Sequence, residues 1–252
     1  MSFRDVSQVY RSPERIVEAL CGVSLDIRDG EFVSLVGPSG CGKSTMLMIA
    51  SGLLTSTGGE VLVEGTPVRG PQTLPGVAFQ DALLLDWRTV MGNVLIQLEG
   101  RKLLDDAHRA RAGDLLRRVG LTGFENAYPR QLSGGMKQRV SICRALVHDP
   151  SILLLDEPFG ALDTMTREQL MLDLHRLWYE QRKSVLFITH SIAEAVFLSD
   201  RVAVMTPRPG RIERIVDIDL PHPRSPGLQV TPEFNAYVSQ IHGLFQARGY
   251  LT

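Results

Sequence analysis

The sequence predicts an α/β fold built on a mainly parallel sheet flanked by helices. Three observations carry that expectation. Short apolar runs alternate with helical patterns along the 252 residues. Two of these runs, SILLLDE (151–157) and SVLFITH (184–190), are apolar without alternation, as strands covered on both faces are. The third observation is GPSGCGKS, from Gly37 to Ser44, a glycine-rich turn between an apolar run and a helical pattern.

EFVSLVG (31–37) reads as the strand that enters this turn. KSTMLMIASGLL (43–54) places Leu47, Ala50 and Leu54 at helical spacing, and predicts a helix ended by Gly58 and Gly59. EVLVEGTPV (60–68) predicts a short strand and turn, and GVAFQ (76–80) a further strand. From 103 to 120 the apolar residues recur with helical period, which predicts a helical insertion. REQLMLDLHRLWYEQ (167–181) reads as a crossover helix, with Leu170, Leu174, Leu177 and Trp178 on one face. After RVAVM (201–205), PRPG and PHPRSPG mark proline-rich turns around the strand-like RIERIVDIDL (211–220). Residues 232–248 predict one last helix.

Composition narrows the class. Apolar residues at 44% and charged residues at 22% are ordinary for a soluble globular chain. A net charge of −1 lacks the basic excess of a nucleic-acid binder. No apolar run approaches the roughly 18 residues of a membrane span, and MSFRDVSQVY has no signal-peptide core. Cys21, Cys41 and Cys143 form neither a metal spacing nor an even disulfide framework, so a reduced cytosolic protein is expected.

The glycines of Gly37–Ser44 let backbone N–H groups point inward, where the dipole of the following helix adds positive potential. Lys43 would reach the β- and γ-phosphates of a nucleoside triphosphate, and the Ser44 hydroxyl would ligate Mg²⁺. Cys41 sits at a helix N-terminus, where a thiol pKa tends to fall; a small residue that simply fits is the favoured reading. ILLLDEP closes a buried strand with Asp156 and Glu157. Successive strand residues face opposite ways, so the two share a task only if the strand ends there, as Pro158 implies. Asp156 would then hold Mg²⁺ and Glu157 would act as general base. His190 and Gln80 each close a strand beside this site. LSGGMKQRV (132–140) opens another helix with Ser133, Gly134 and Gly135, an anion-ready start without a lysine.

The order of these motifs resembles the nucleotide-binding subunits of ATP-binding cassette (ABC) transporters. GPSGCGKST, with Pro38, Ser39, Gly40, Gly42 and Thr45, is similar to the Walker A motif, and Gln80 to the Q-loop glutamine, a further Mg²⁺ ligand. LSGGM resembles the family signature, ILLLDEP Walker B, ALD (161–163, with Asp163) the D-loop, and His190 the switch histidine. Tyr10, placed before the first strands, is similar to the aromatic that stacks on adenine. The resemblance implies a P-loop (RecA-like) core, an N-terminal antiparallel β subdomain and a helical signature subdomain. It implies a cassette over 1–220, the helical part at about 84–148, and a C-terminal extension over 221–252. Catalysis would fall to Glu157, His190, Gln80 and Lys43, with ATP and Mg²⁺ as cofactors. Two subunits would pair head to tail, each ATP lying between one Walker A loop and the other subunit's Ser133–Gly135.

LSGGM with methionine, and TPRPGRIERIVDIDLPHPR (206–224), resemble the importers for nitrate, sulfonates and taurine. Many family members carry glutamine where this chain has Met136, which cannot donate a hydrogen bond. The implied partners are a transmembrane permease, docked at the apolar stretch ALLLDWRTVMGNV around Trp87, and indirectly a substrate-binding protein. The implied place is the cytoplasmic face of the cell membrane. Three alternatives stay open: a soluble ABC ATPase of repair or translation, an importer of a thiamine-precursor pyrimidine, and a small-molecule kinase. No heptad insertion or second cassette supports the first, and LSGG has no place in the last.

Overall fold

The computed structural model describes residues 1–160 and 162–247. Two sheets form it. Strands β1 (Ser2–Arg11) and β2 (Ile16–Asp26) make a long hairpin, and β3 (Phe32–Val36) leads into helix α1 (Lys43–Ala50). The short hairpin β4 (Gly58–Val63) and β5 (Thr66–Pro67) completes an antiparallel sheet in the order β2-β1-β4-β5. The second sheet adds β6 (Gly76–Ala78), β7 (Ile152–Asp156), β8 (Ser184–Thr189), β9 (Arg201–Met205) and β10 (Ile212–Asp217). Its order is β10-β9-β3-β8-β7-β6, parallel except for the β9–β10 pair. The α/β fold with a mainly parallel core and an N-terminal antiparallel sheet is therefore borne out.

Every residue of β3, β7, β8 and β9 is buried, which explains their unbroken apolar sequence. One core joins this sheet to α1 and the N-terminal sheet through Phe3, Leu20, Met46 and Leu154. The other holds Phe32, Phe187 and Trp178 under α5 (Thr164–Gln181) and α6 (Ile192–Leu198). Phe32 meets Trp178 edge-on at 5.5 Å. The second core continues into α2 (Val90–Gly100), α3 (Asp106–Arg118) and α4 (Gly134–Leu146). No helix among the described residues is long and apolar enough to cross a membrane.

The structure revises several boundaries. Helix α1 stops at Ala50, and Gly58 and Gly59 belong to β4. The residue that ends the helix is Gly52: its φ is +74°, and a β-carbon there would lie 1.8 Å from the Gly70 carbonyl oxygen. Tyr10 lies within β1 rather than before the first strands. GVAFQ contributes only Gly76–Ala78 to the sheet, leaving Gln80 in the loop beyond. Helix α2 has no sequence forecast of its own; its buried Val90, Val94 and Leu98 recur at intervals of four, with the polar Asn93 on the same face. The last helix, α7 (Pro232–Ala247), matches the forecast up to Arg248, which lies outside the described residues.

Polar contacts tie the C-terminal segment to the core. Buried Arg224 donates to the carbonyls of Val196 (2.8 Å), Phe197 (2.7 Å) and Ser199 (2.8 Å), satisfying the orphan acceptors at the end of α6. His222 bridges His175 Nε2 (2.9 Å) and the Asp200 carboxylate (3.2 Å). Burial pushes the His175 pKa from 6.5 down to about 4, helped by His222 and Arg224. The unfolded chain therefore binds a proton between pH 6.5 and about 4 that the folded chain refuses. Stability should be whole above pH 6.5 and fall by about 3 kcal/mol as the pH drops through that window. Urea midpoints at pH 7.5 and pH 5 measure this, and His175→Gln should flatten the difference.

Candidate nucleotide site

The phosphate-type loop owes its shape to glycine. Gly40 and Gly42 have φ values of +74° and +105°. A β-carbon on Gly42 would lie 2.5 Å from Leu20 Cδ2 and 2.9 Å from the Ala19 carbonyl oxygen, so only glycine fits. Lys43 folds back and donates from Nζ to the carbonyls of Gly37 (2.8 Å) and Pro38 (3.1 Å). Six helices begin on a side chain that accepts a backbone N–H: Thr89, Asp105, Ser133, Asp163, Ser191 and Thr231. Helix α1 has no such cap and no acidic residue in its first turn. Its free N–H groups and dipole are open to an external anion. Cys41 is buried, and burial raises its thiol pKa against the pull of Lys43. The helix start therefore does not activate it, and it stands as a small residue that fits under Gly37.

Two cavities flank the loop. The first, of about 380 Å³, is lined by Gly40, Gly42, Ser44 and Thr45 on the loop side. Tyr10 faces them from β1, its hydroxyl 3.3 Å from Thr45 Oγ1. Val17 and Ala19 of β2 and Arg208 complete the wall, and none of the three was legible as a site residue. Arg208 donates to the Gly40 carbonyl from Nε (3.2 Å) and a terminal nitrogen (3.0 Å). In the sequence, PRPG signals only a turn. The second cavity, of about 480 Å³, lies against Gly37, Pro38 and Ser39 on the other flank.

Asp156 ends β7, and Glu157 follows in a left-handed conformation with φ +43°. The strand alternation breaks there, while the Glu157 N–H still donates to the Ile188 carbonyl at 2.9 Å. Glu157 Oε2 lies 3.0 Å from His190 Nδ1. Gln80 joins them: a β-carbon at Gly160 would be 3.7 Å from both Gln80 Nε2 and Glu157 Oε2. The turn that carries His190 is braced by Thr189, whose hydroxyl donates to Glu194 (2.5 Å) and accepts from Ser191 N (3.0 Å). Burial pushes the Asp156 carboxyl above its usual range, and the Ser44 hydroxyl opposes that rise. Asp156 Oδ1 is buried without a hydrogen-bond partner. Such an oxygen beside a serine hydroxyl suits a hard cation. Among the described residues no three His, Cys, Asp or Glu side chains cluster as a metal cage, so phosphate oxygens and water would supply the other ligands.

Ser133, Gly134 and Gly135 line neither cavity. Ser133 caps α4 by accepting from Met136 N at 3.3 Å, and Gly135 packs on the first turn of α5. Asp163 caps α5, accepting from Thr166 N at 3.0 Å. Ala161, in the D-loop-like triplet, lies outside the described residues. One chain thus gathers Gln80, Asp156, Glu157 and His190, but its second anion-ready helix start is not part of either cavity.

Known proteins share this architecture. A family model described as ABC transporter matches residues 20–160. An uncharacterized ABC transporter ATP-binding protein of Methanocaldococcus jannaschii is 45% identical, over 96% of this chain and 89% of its own length. An aliphatic sulfonates import ATP-binding protein of Bacillus licheniformis is 46% identical over 81% of this chain and 78% of its own. Its Bacillus cereus counterpart is 39% identical over 95% and 94%. The solved dimeric structure of a bacterial ABC transporter cassette superposes with a TM-score of 0.77 at 36% identity, covering 86% of this chain and 98% of that one. The same cassette in a dimeric post-hydrolysis state bound to ADP and Pi matches equally. With a family model over more than half its length and relatives of this identity over nearly all of it, the chain belongs to the ABC transporter family, as an ATP-binding ATPase.

Proposed function

We propose that this ATPase powers an importer for a small solute, an anion such as an aliphatic sulfonate, taurine or nitrate, by ATP-driven closure of a homodimer. The observation that carries the catalytic reading is the Glu157–His190 pair, 3.0 Å apart at the strand ends beside the phosphate loop. Relatives named for aliphatic sulfonate import, at 39–46% identity, support the solute class. Trp87, 74% exposed, and Leu83, 59% exposed in the same segment, suit docking of a permease's cytoplasmic segment at the inner face of the membrane. A substrate-binding protein would then deliver the solute to that permease.

In this reading the uncapped start of α1 binds the phosphates through the amides of residues 39–45. Lys43 leaves the Gly37 and Pro38 carbonyls for the β- and γ-phosphates, and Tyr10 stacks on the adenine. Ser44, Asp156 and Gln80 would hold Mg²⁺, which neutralises phosphate charge as the γ-phosphoryl leaves. Glu157 takes a proton from the water that attacks the γ-phosphorus, and the bond to the ADP oxygen breaks. His190 orients that carboxylate through Nδ1. A second copy's Ser133, Gly134 and Gly135 cap the γ-phosphate, and its Asp163 supports the junction. Phosphate release reopens the pair.

Glu157→Gln should bind ATP, hydrolyse it about a hundredfold or more slowly, and accumulate a nucleotide-bound dimer on size exclusion; normal turnover would overturn the assigned base. Mixing inactive Lys43→Ala with inactive Ser133→Ala should restore activity, up to about a quarter of the wild-type rate, through one intact site per heterodimer. Silence of the mixture argues against a shared site. Deleting the gene should abolish growth on an aliphatic sulfonate as sole sulfur source while sparing growth on sulfate.

A further inference from the structure

The cavity of about 380 Å³ between Tyr10 and the phosphate loop has one charged residue among its described walls, Arg208. Arg208 sits in the turn between β9 and β10, which is fixed by its own bonds. Thr206 Oγ1 donates to the Pro209 carbonyl (3.1 Å) and accepts from Arg211 N (3.0 Å). Gly210 donates to the Ala19 carbonyl at 2.9 Å and accepts from Cys21 N at 3.0 Å. A β-carbon on Gly210 would lie 2.0 Å from the Cys41 carbonyl oxygen, so the turn packs directly on the phosphate loop. The Arg208 side chain is exposed, and Nε and one terminal nitrogen both donate to the Gly40 carbonyl. Those bonds use two of the five N–H donors of a guanidinium, and among the described residues no carboxylate pairs with it. The remaining donors and the whole positive charge are left at the rim of an anion-ready loop.

We infer that Arg208 binds the α-phosphate of ATP, as a second cationic clamp beside Lys43. The inference rests on the reading above, in which adenine stacks on Tyr10 and the phosphates follow the loop. The two cations hold different limbs of that loop: Lys43 the carbonyls of Gly37 and Pro38, Arg208 that of Gly40. Lys43 serves the β- and γ-phosphates. Arg208 shares its cavity with Tyr10, at the end where base and phosphates join. The α-phosphate is the anionic group at that end, since adenine and ribose carry no charge. A planar guanidinium matches phosphate oxygens with paired donors and keeps its charge at any working pH. The α-phosphate is common to ATP and ADP and loses no bond in hydrolysis. The contact therefore contributes uniform binding, which acts on KM and leaves the chemical step alone.

The test measures binding of ADP and of a non-hydrolysable ATP analogue to the full-length protein by calorimetry. Arg208→Gln keeps a donor for the Gly40 carbonyl and removes the charge. It should weaken both nucleotides alike, by about tenfold, and raise KM for ATP by the same factor while kcat holds. Arg208→Lys should recover most of the affinity. The residue is exposed in a turn fixed by other groups, so the nucleotide-free variants should melt with the wild type. Wild-type affinity in Arg208→Gln overturns the inference, because the side chain would then serve the Gly40 carbonyl alone. A loss confined to the ATP analogue also overturns it, by moving the contact to the γ-phosphate. So does a loss that vanishes with 2′,3′-dideoxy-ADP, which would move it to the ribose. Tyr10→Ala checks the underlying placement and should weaken binding of both nucleotides. If it does not, the nucleotide does not run along this cavity, and that placement falls together with the Arg208 contact. Weakening by Tyr10→Ala without weakening by Arg208→Gln removes the Arg208 contact alone.

Discussion

Backbone register is the constraint on which the site depends. The parallel ladder pairs Val36 with Thr189 and Asp156 with Ile188, so β3, β7 and β8 finish at one level. Each chain exit at that level carries chemistry: the glycine loop after β3, Glu157 after β7 and His190 after β8. A slip of one residue would turn every side chain to the other face and scatter these groups. The strands hold this register through the hydrogen-bond ladder and the close packing of side chains buried on both faces. The left-handed Glu157 backbone is the local exception that this rigid frame can sustain.

Much of the fold was legible because buried parallel strands write a plain code. SILLLDE and SVLFITH are unbroken apolar runs, and the crossover helix between them carries its stripe through Leu170, Leu174 and Trp178. The long β1–β2 hairpin was not legible from alternation, since its register shifts near Phe3, Val6 and Gln8 disturb the period of two. Helix α2 hid because Asn93, fully buried and satisfied by the Leu85, Arg88 and Thr89 backbone, puts a polar residue on its buried face. At the site, glycine spacing and strand ends pointed to Gly37–Ser44, Asp156, Glu157 and His190, whose pattern is local. Arg208, Val17 and Ala19 come from the hairpins of distant segments and become neighbours only through tertiary contact.

The helical region reports to the sheet through side chains. Gln138 of α4 donates to the Phe79 carbonyl at 3.1 Å, beside Gln80. Arg144, two turns further along, donates to the carbonyls of Ala82 (2.7 Å) and Leu83 (2.8 Å). The helix that starts at Ser133 thus grips the segment between Gln80 and the exposed Trp87. The signature-like helix start and the grip on the segment before Trp87 thus belong to one helix, α4.

The other side of the molecule is built differently. Gly210 donates to the Ala19 carbonyl (2.9 Å) and accepts from Cys21 N (3.0 Å), while neighbouring Arg208 clasps Gly40. The antiparallel sheet and the glycine loop are thereby tied together through the β9–β10 turn, by main-chain bonds on one side and the Arg208 side chain on the other. The two sides of the subunit are thus joined differently: main-chain bonds and the Arg208 clasp at the nucleotide cradle, side-chain donors from α4 at residues 79–83.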